Sequence, residues 1–354
     1  MIISQGHTPA SPCMKLLTAI LSFLMPHIAK VWSSLFFNFG SAAQPRTSPD
    51  GTVWPPFSQE DQQKAKASAH PIWIAKNSAD VANLFRKWNS QNKPVPNRPA
   101  QDPHLHTWDF SNLYGTLQKP NIKQAVSFFL SKIESARSNI PSTLTALRIT
   151  NSTTAFLDYT IEWTTQPTSP LHAPETTRNS QTSLVLTMSE VNTLLEDCLD
   201  NVYFKHLDRI IQQISALAQG IEAGVFLANI TLAYHEYIFI DNLIFNKDWN
   251  ALLHFLYIKR YIDDITSINC LLLPNIRHHT NAFTCANGVQ IPGIYPDYTT
   301  LNKEESIIHA VTGRASETAF IVDCAVQYNH RKGQLQFRPY HKRENSKYDL
   351  TPLN

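Results

Sequence analysis

Arg260-Tyr261-Ile262-Asp263-Asp264-Ile265 is the stretch on which the reading of this chain turns. Two adjacent carboxylates interrupt an apolar run. Phe255-Leu256-Tyr257-Ile258-Lys259 precedes them and Ile265-Thr266-Ser267-Ile268 follows. β-Branched and aromatic side chains suit a pleated, half-buried surface, so both flanks predict strands. The acids then fall at the tip of a hairpin. Burying an ionised carboxylate is costly unless an opposite charge compensates it. The tip is therefore either a divalent-cation site or an ordinary solvated turn.

A third carboxylate would favour the cation site. Thr107-Trp108-Asp109-Phe110-Ser111-Asn112-Leu113-Tyr114 offers one, where an acid leaves an apolar strand and enters a polar turn. Two-metal phosphoryl transfer uses carboxylates from separate segments to hold cations roughly 3.5–4 Å apart. Mg²⁺ takes oxygen ligands and keeps few protein carboxylates beside substrate phosphates. Asp109, Asp263 and Asp264 meet that need in kind; sequence separation permits their proximity without establishing it.

Around these segments, helical spacing occurs at Val81-Leu84-Phe85-Trp88 and at Ile122-Val126-Phe129-Ile133. Ser189 is a candidate N-cap for a helix through Leu194-Leu195, and Val225 to Ile240 is strongly apolar and helix-compatible. Further strands are expected at His106–Phe110, Asn201–Phe204, Thr318–Tyr328 and Gln334–Tyr340, the last two joined by a polar loop ending in Gly333. Helices mixed with mostly antiparallel strands predict an α+β fold. Residues 39–69 read as a long loop, and residues 163–183 as a surface insertion.

A formal net charge of +2 allows a local nucleic-acid-binding patch without arguing for one. Five scattered cysteines with no CxxC pair indicate neither a zinc ribbon nor a disulfide framework. A reducing compartment is the default. The apolar segment from Met14 to Phe37 is interrupted by Pro26, His27 and Lys30. Its uninterrupted part is too short to span a bilayer, so a buried helix is expected rather than a signal or anchor, with no stable membrane association.

Several strings, in order, resemble a reverse transcriptase domain of a retroelement, Penelope-like or related. Tyr261-Ile262-Asp263-Asp264 resembles the family's Tyr-x-Asp-Asp signature. Asp109-Phe110-Ser111-Asn112-Leu113-Tyr114 resembles its first catalytic strand. Gln219-Gly220-Ile221-Glu222-Ala223-Gly224, with Leu227-Ala228-Asn229 after it, resembles the template- and nucleotide-binding segment. Gly293-Ile294-Tyr295-Pro296, Phe320-Ile321-Val322-Asp323 and Tyr340-His341-Lys342-Arg343 resemble weaker family strings.

The resemblance implies a right-hand palm with an antiparallel sheet and packed helices, partial fingers and little or no thumb. It places partial fingers and a long loop in residues 1–100 and the palm in 101–354. It implies RNA-directed DNA polymerisation with Mg²⁺, or Mn²⁺ in its place, on an RNA template with a DNA primer and dNTPs. Asp109, Asp263 and Asp264 would be catalytic, with the Phe110 carbonyl adding a metal ligand. Tyr114 would exclude the ribose 2′-hydroxyl; its alternative is a core aromatic. Gln219 and Gly220 would lie against template or nucleotide; the alternative for Gly220 is a simple turn glycine.

Glu222 and Ala223 depart from the Pro-Met usual in that segment, and Gly115 stands where Thr is usual. By the same resemblance the chain is expected to begin inside the fingers and to end where a thumb would start. The other reading is therefore a catalytically inactive remnant that at most binds nucleic acid. His104 with His106, and His278 with His279, are weaker metal-ligand candidates against a structural role. Lys259-Arg260, Arg331-Lys332 and Lys342-Arg343 are candidate phosphate contacts against solvated surface charge.

Overall fold

A computed structural model of the chain describes residues 11–37, 46–47, 53–54, 57–92, 103–135, 143–151, 159–165, 175–176, 182–206, 209–303, 319–321, 324–329 and 332–339. The chain divides into two compact units, each drawn from two stretches of sequence. One comprises Met1–Gln62 and Asn112–Ile238; the other comprises Gln63–Ser111 and Phe239–Asn354. Both combine helices with antiparallel sheets, the mixed architecture expected from the sequence.

In the first unit the N-terminal helix Ser11–Phe37 buries Leu17, Ile20, Leu24, Ile28, Val31 and Leu35. That three-to-four spacing makes one face apolar and inward. The helix is long and apolar enough to cross a membrane by length and composition alone. In this unit it packs against helices Lys119–Ser135 and Met188–Asp200 and strand Tyr159–Thr165, as a core helix. The four-stranded sheet beside it runs in the order Tyr159–Thr165, Leu144–Asn151, Thr182–Thr187, Glu175–Thr176.

Thr187, and not Ser189, caps the Met188–Asp200 helix. Its side chain accepts from the Glu190 N–H at 3.2 Å, and Glu190 accepts in return from the Thr187 N–H at 2.7 Å. This reciprocal box needs an acid three residues after the cap. Counting from Thr187 gives Glu190; counting from Ser189 gives Asn192.

The second unit is built on a four-stranded antiparallel sheet: β1 (Leu105–Ser111), β2 (Ile258–Tyr261), β3 (Asp264–Ile268) and β4 (Thr300–Lys303), in the spatial order β2-β3-β1-β4. Helix Ser78–Gln91 covers one end of this sheet through Val81, Leu84, Phe85 and Trp88, which cluster with Leu105 of β1 and Ile268 of β3. Val326 and Leu335 of a three-stranded sheet complete that cluster. The expected Thr318–Tyr328 strand is two antiparallel strands, Ala319–Ile321 and Cys324–Asn329, so the chain reverses where one continuous strand is expected.

Part of the expected 39–69 loop is instead the helix Gln59–Ala67, opened by Ser58, whose Oγ accepts from the Asp61 N–H at 3.1 Å and donates to the Asp61 carboxylate at 2.9 Å. Most of the expected 163–183 insertion, Val322 with Asp323, and Tyr340 to Arg343 lie outside the described residues.

Candidate catalytic site

The Asp-Asp stretch does form a hairpin. Tyr261 pairs with Asp264, leaving Ile262 and Asp263 as a two-residue turn. Two-residue hairpin turns suit the twist of their strands only with a positive φ, normally supplied by Gly or Asn. Here Ile262 takes it, at φ +56°. A left-handed conformation costs an L-residue about 1–2 kcal/mol, and for a β-branched one it is a true outlier.

Arg260 meets that turn from below. Its side chain is fully buried, and its Nη1 donates to the Ile262 carbonyl at 3.0 Å. Its own backbone is fixed on the outer edge of β2: the Arg260 N–H donates to Trp73 O and its carbonyl accepts from the Ala75 N–H, both at 2.7 Å.

The register then brings the acids together. Asp264 of β3 lies directly opposite Asp109 of β1. The Phe110 N–H donates to the Asp263 carbonyl at 3.1 Å, making Phe110 and Asp263 the bonded pair of that ladder. Asp109 and Asp264 are consequently the adjacent non-bonded pair, the geometry in which facing residues approach most closely, with Cα atoms about 4.5 Å apart. Tyr261 opposes Asp264 on one side and Asn302 of β4 opposes Asp109 on the other. Residues directly opposite in a sheet share a face, so Tyr261, Asp264, Asp109 and Asn302 form one row across four strands.

Along that face burial falls from one end to the other. Leu105 and Ile268 are sealed under the Ser78–Gln91 helix; Thr107 and Thr266 are buried; Asp109 and Asp264 are half-buried, as is Asp263 in the turn. The acids emerge where the cover ends. The reverse face is sealed by Trp108, Phe110, Ile265 and Arg260. Phe110 meets Tyr295 edge-on at 4.9 Å, which fixes the strand segment carrying Asp109. Asn302 Nδ2 donates to Ser111 Oγ at 2.6 Å beside the row.

Among the described residues, no group of three or more His, Cys, Asp and Glu side chains is gathered to hold a metal ion. Two facing carboxylates are nevertheless a donor set that suits Mg²⁺ or Mn²⁺, which take hard oxygen ligands. Mg²⁺ commonly uses one or two protein carboxylates and completes its shell with water and substrate phosphate.

Tyr114, Gln219 and Gly220 belong to the first unit, whereas the three aspartates and Phe110 belong to the second. Tyr114 follows Asn112, itself at φ +52°, in the short helix Leu113–Thr116. Its carbonyl accepts from the Leu217 N–H at 3.1 Å, and a Cβ placed on Gly224 would lie 3.4 Å from the Tyr114 ring. The Tyr114 ring thus sits beside the start of helix Gly224–Phe245. Gln219 and Gly220 are exposed, and Gly220 adopts φ +89°, a conformation that favours glycine. Glu222, the acid in place of the usual Pro, approaches Lys15 Nζ at 3.9 Å across an exposed surface.

The His104 N–H donates to Asn269 Oδ1, and His106 is buried. Burial holds His278 and His279 below the usual imidazole range. Lys259 Nζ donates to the Ile72 carbonyl at 2.8 Å. Arg260 is neither a phosphate contact nor a solvated charge, because the strand alternation turns it inward with Ile258. Arg331, Lys342 and Arg343 lie outside the described residues.

No family model and no curated protein matches the chain. It is similar to solved structures of telomerases from two Candida species. A telomerase from Candida albicans in complex with a TWJ fragment of telomeric RNA gives a TM-score of 0.44 at 10% identity, covering 93% of this chain and 39% of that one. The corresponding complex from Candida tropicalis gives 0.45 at 10% identity, covering 94% and 38%. An apo telomerase from Candida tropicalis gives 0.43 at 9% identity, covering 75% and 37%. This chain thus spans about two-fifths of the length of the solved structures it matches.

Proposed function

We propose that the second unit is a polymerase palm and that the chain carries out two-metal nucleotidyl transfer from a dNTP to a primer 3′-hydroxyl on an RNA template. The observation that carries this reading is the register: Asp264 faces Asp109 in a half-open row, with Asp263 in the adjoining turn. Like charges directly opposite in a sheet are destabilising by themselves, so this placement gains from a cation between them.

Asp109, Asp263 and Asp264, with the Phe110 carbonyl, are the residues that would hold Mg²⁺ or Mn²⁺. Bound there, the cations would supply activation of the attacking hydroxyl and neutralisation of the leaving pyrophosphate. The chain's own contribution is placement. Asp109 and Asp264 stand on paired strands and Asp263 in the two-residue turn that joins Tyr261 to Asp264, and the buried reverse face keeps those strands from shifting. Tyr114, beside Gly224, is the residue we assign to rejecting a ribose 2′-hydroxyl, and Gly220 the one that lets backbone approach the template or nucleotide.

Primer extension by the full chain on an RNA template with a DNA primer, in Mg²⁺ and in Mn²⁺, tests the proposal. Extension that disappears in Asp109→Asn and Asp263→Asn supports it. Extension that continues undiminished in either variant refutes the assignment. Binding of primer–template without extension in either cation favours the inactive, nucleic-acid-binding reading.

A further inference from the structure

We propose that Arg260 is a positioning residue: it holds the left-handed turn at Ile262 and so sets where Asp263 and Asp264 stand. The catalytic part of this inference rests on the two-metal reading above, while the structural part stands without it.

Three observations converge on one side chain. Arg260 is fully buried, an expensive place for a guanidinium unless it does something an apolar residue cannot. Its Nη1 reaches two residues along the chain to the Ile262 carbonyl at 3.0 Å. Ile262 is a β-branched residue at φ +56°, a conformation that persists only when its surroundings over-determine it.

Arg260 is suited to that task because its position is itself fixed. The hydrogen bonds to Trp73 and Ala75 hold its backbone, and Ile265 of β3 pairs with it across the hairpin. The guanidinium therefore works from a rigid base. It pulls the carbonyl of the first turn residue toward the sealed face. The next peptide then presents the Asp263 carbonyl to the Phe110 N–H, the bond that makes Asp264 face Asp109. Loss of the guanidinium would let the turn relax toward a negative φ, and the Asp263–Phe110 bond would be disturbed first.

The inference predicts rescue by glycine. Gly at the first turn position adopts a positive φ without strain, so it needs no guanidinium to hold it. The full chain is compared as wild type, Arg260→Gln, Ile262→Gly and the double variant. Mn²⁺ binding is read from the electron paramagnetic resonance of the free ion, and stability from urea unfolding. Arg260→Gln is expected to weaken Mn²⁺ binding at least tenfold, and Ile262→Gly alone to change it less than twofold. The double variant should recover to within about threefold of wild type.

A double variant as weak as Arg260→Gln overturns the proposal. Should Arg260→Gln fail to fold, Arg260→Lys, which keeps the charge but loses the fork, is expected to give a smaller loss with the same rescue. If the wild type binds no Mn²⁺ at millimolar concentration, the two-metal reading fails. The turn is then judged by urea alone: a smaller Arg260→Gln loss in the Ile262→Gly background upholds Arg260 as its support, and equal losses in both backgrounds overturn it.

Discussion

Replacing Gly293 with alanine is expected to damage the acid-bearing sheet from a distance. A Cβ at this position would lie 2.1 Å from the His278 carbonyl oxygen and 2.5 Å from that of Ile276, and real Cβ atoms essentially never approach within 3.0 Å. Both obstacles are backbone, so no side-chain rotation relieves them. The two segments must part by roughly 1 Å, enough to lose bonds near the ordinary hydrogen-bond length. Those at risk are Ile294 N–H to Ile276 O at 2.7 Å, Tyr295 N–H to Arg277 O at 2.9 Å and His279 N–H to Tyr295 O at 2.7 Å. At about 1 kcal/mol net for each bond, the loss is about 3 kcal/mol.

Gly288→Ala is the matched control. Gly288 has φ +85° and nothing within 4 Å of a new Cβ, so only the conformational penalty of about 1–2 kcal/mol applies. Urea unfolding followed by tryptophan fluorescence compares the two, since Trp73, Trp88 and Trp108 are all buried in the second unit. Tyr295 moves with its backbone, and its ring rests against Phe110, so weaker Mn²⁺ binding should accompany the Gly293→Ala loss. A Gly293→Ala loss no larger than that of Gly288→Ala would refute the steric argument.

Asp263→Asn is expected to lower primer extension at least a hundredfold while shifting the urea midpoint little, because the side chain is half-exposed in a turn; comparable losses of fold and activity would make Asp263 structural. Tyr114→Ala should raise ribonucleotide incorporation relative to deoxyribonucleotide at least tenfold, measured by competing rNTP and dNTP in the extension assay. His70 is buried and held at about pKa 4, chiefly by desolvation, below its usual 6.5. The unfolded chain therefore binds a proton between pH 6.5 and 4 that the folded chain refuses. This group's stability contribution is intact above pH 6.5 and falls as pH drops toward 4, by about 3 kcal/mol in all. His70→Phe should flatten that part of the stability profile measured by urea unfolding. Thr187→Ala removes the capping box and should cost about 1 kcal/mol in the same measurement.

The hairpin at Asp263 was legible because its flanks are β-branched and aromatic and its acids mark the break between them. The Ser78–Gln91 and Lys119–Ser135 helices were legible from their apolar spacing. Lys259-Arg260 reads as a phosphate contact or a solvated charge, although alternation from Ile258 turns Arg260 inward. The period-two pattern was the signal, and charge outweighed it. The pairing of Asp264 with Asp109 could not be read, because strand register depends on contacts between segments far apart in sequence. The close approach at Gly293 is likewise tertiary, since nothing local distinguishes it from a turn glycine. Thr187 stands two residues before Ser189, also a good cap by residue type, and only the distance to Glu190 separates the two.

The place of Asp109 in the chain has a consequence for how the protein is made. Its strand lies in the middle of the sheet, with one neighbour at Asp264–Ile268 and the other at Thr300–Lys303. During synthesis it must wait for roughly 150 further residues, about eight to thirty seconds at ordinary elongation rates. Throughout that interval Trp108 and Phe110, buried in the finished sheet, have no partner strand to cover them. The nascent chain thus exposes an apolar strand with two open edges while the intervening first-unit segment is still emerging. The topology predicts that a chaperone shielding such segments assists folding, checked by whether the yield of soluble protein rises when holdase is supplied.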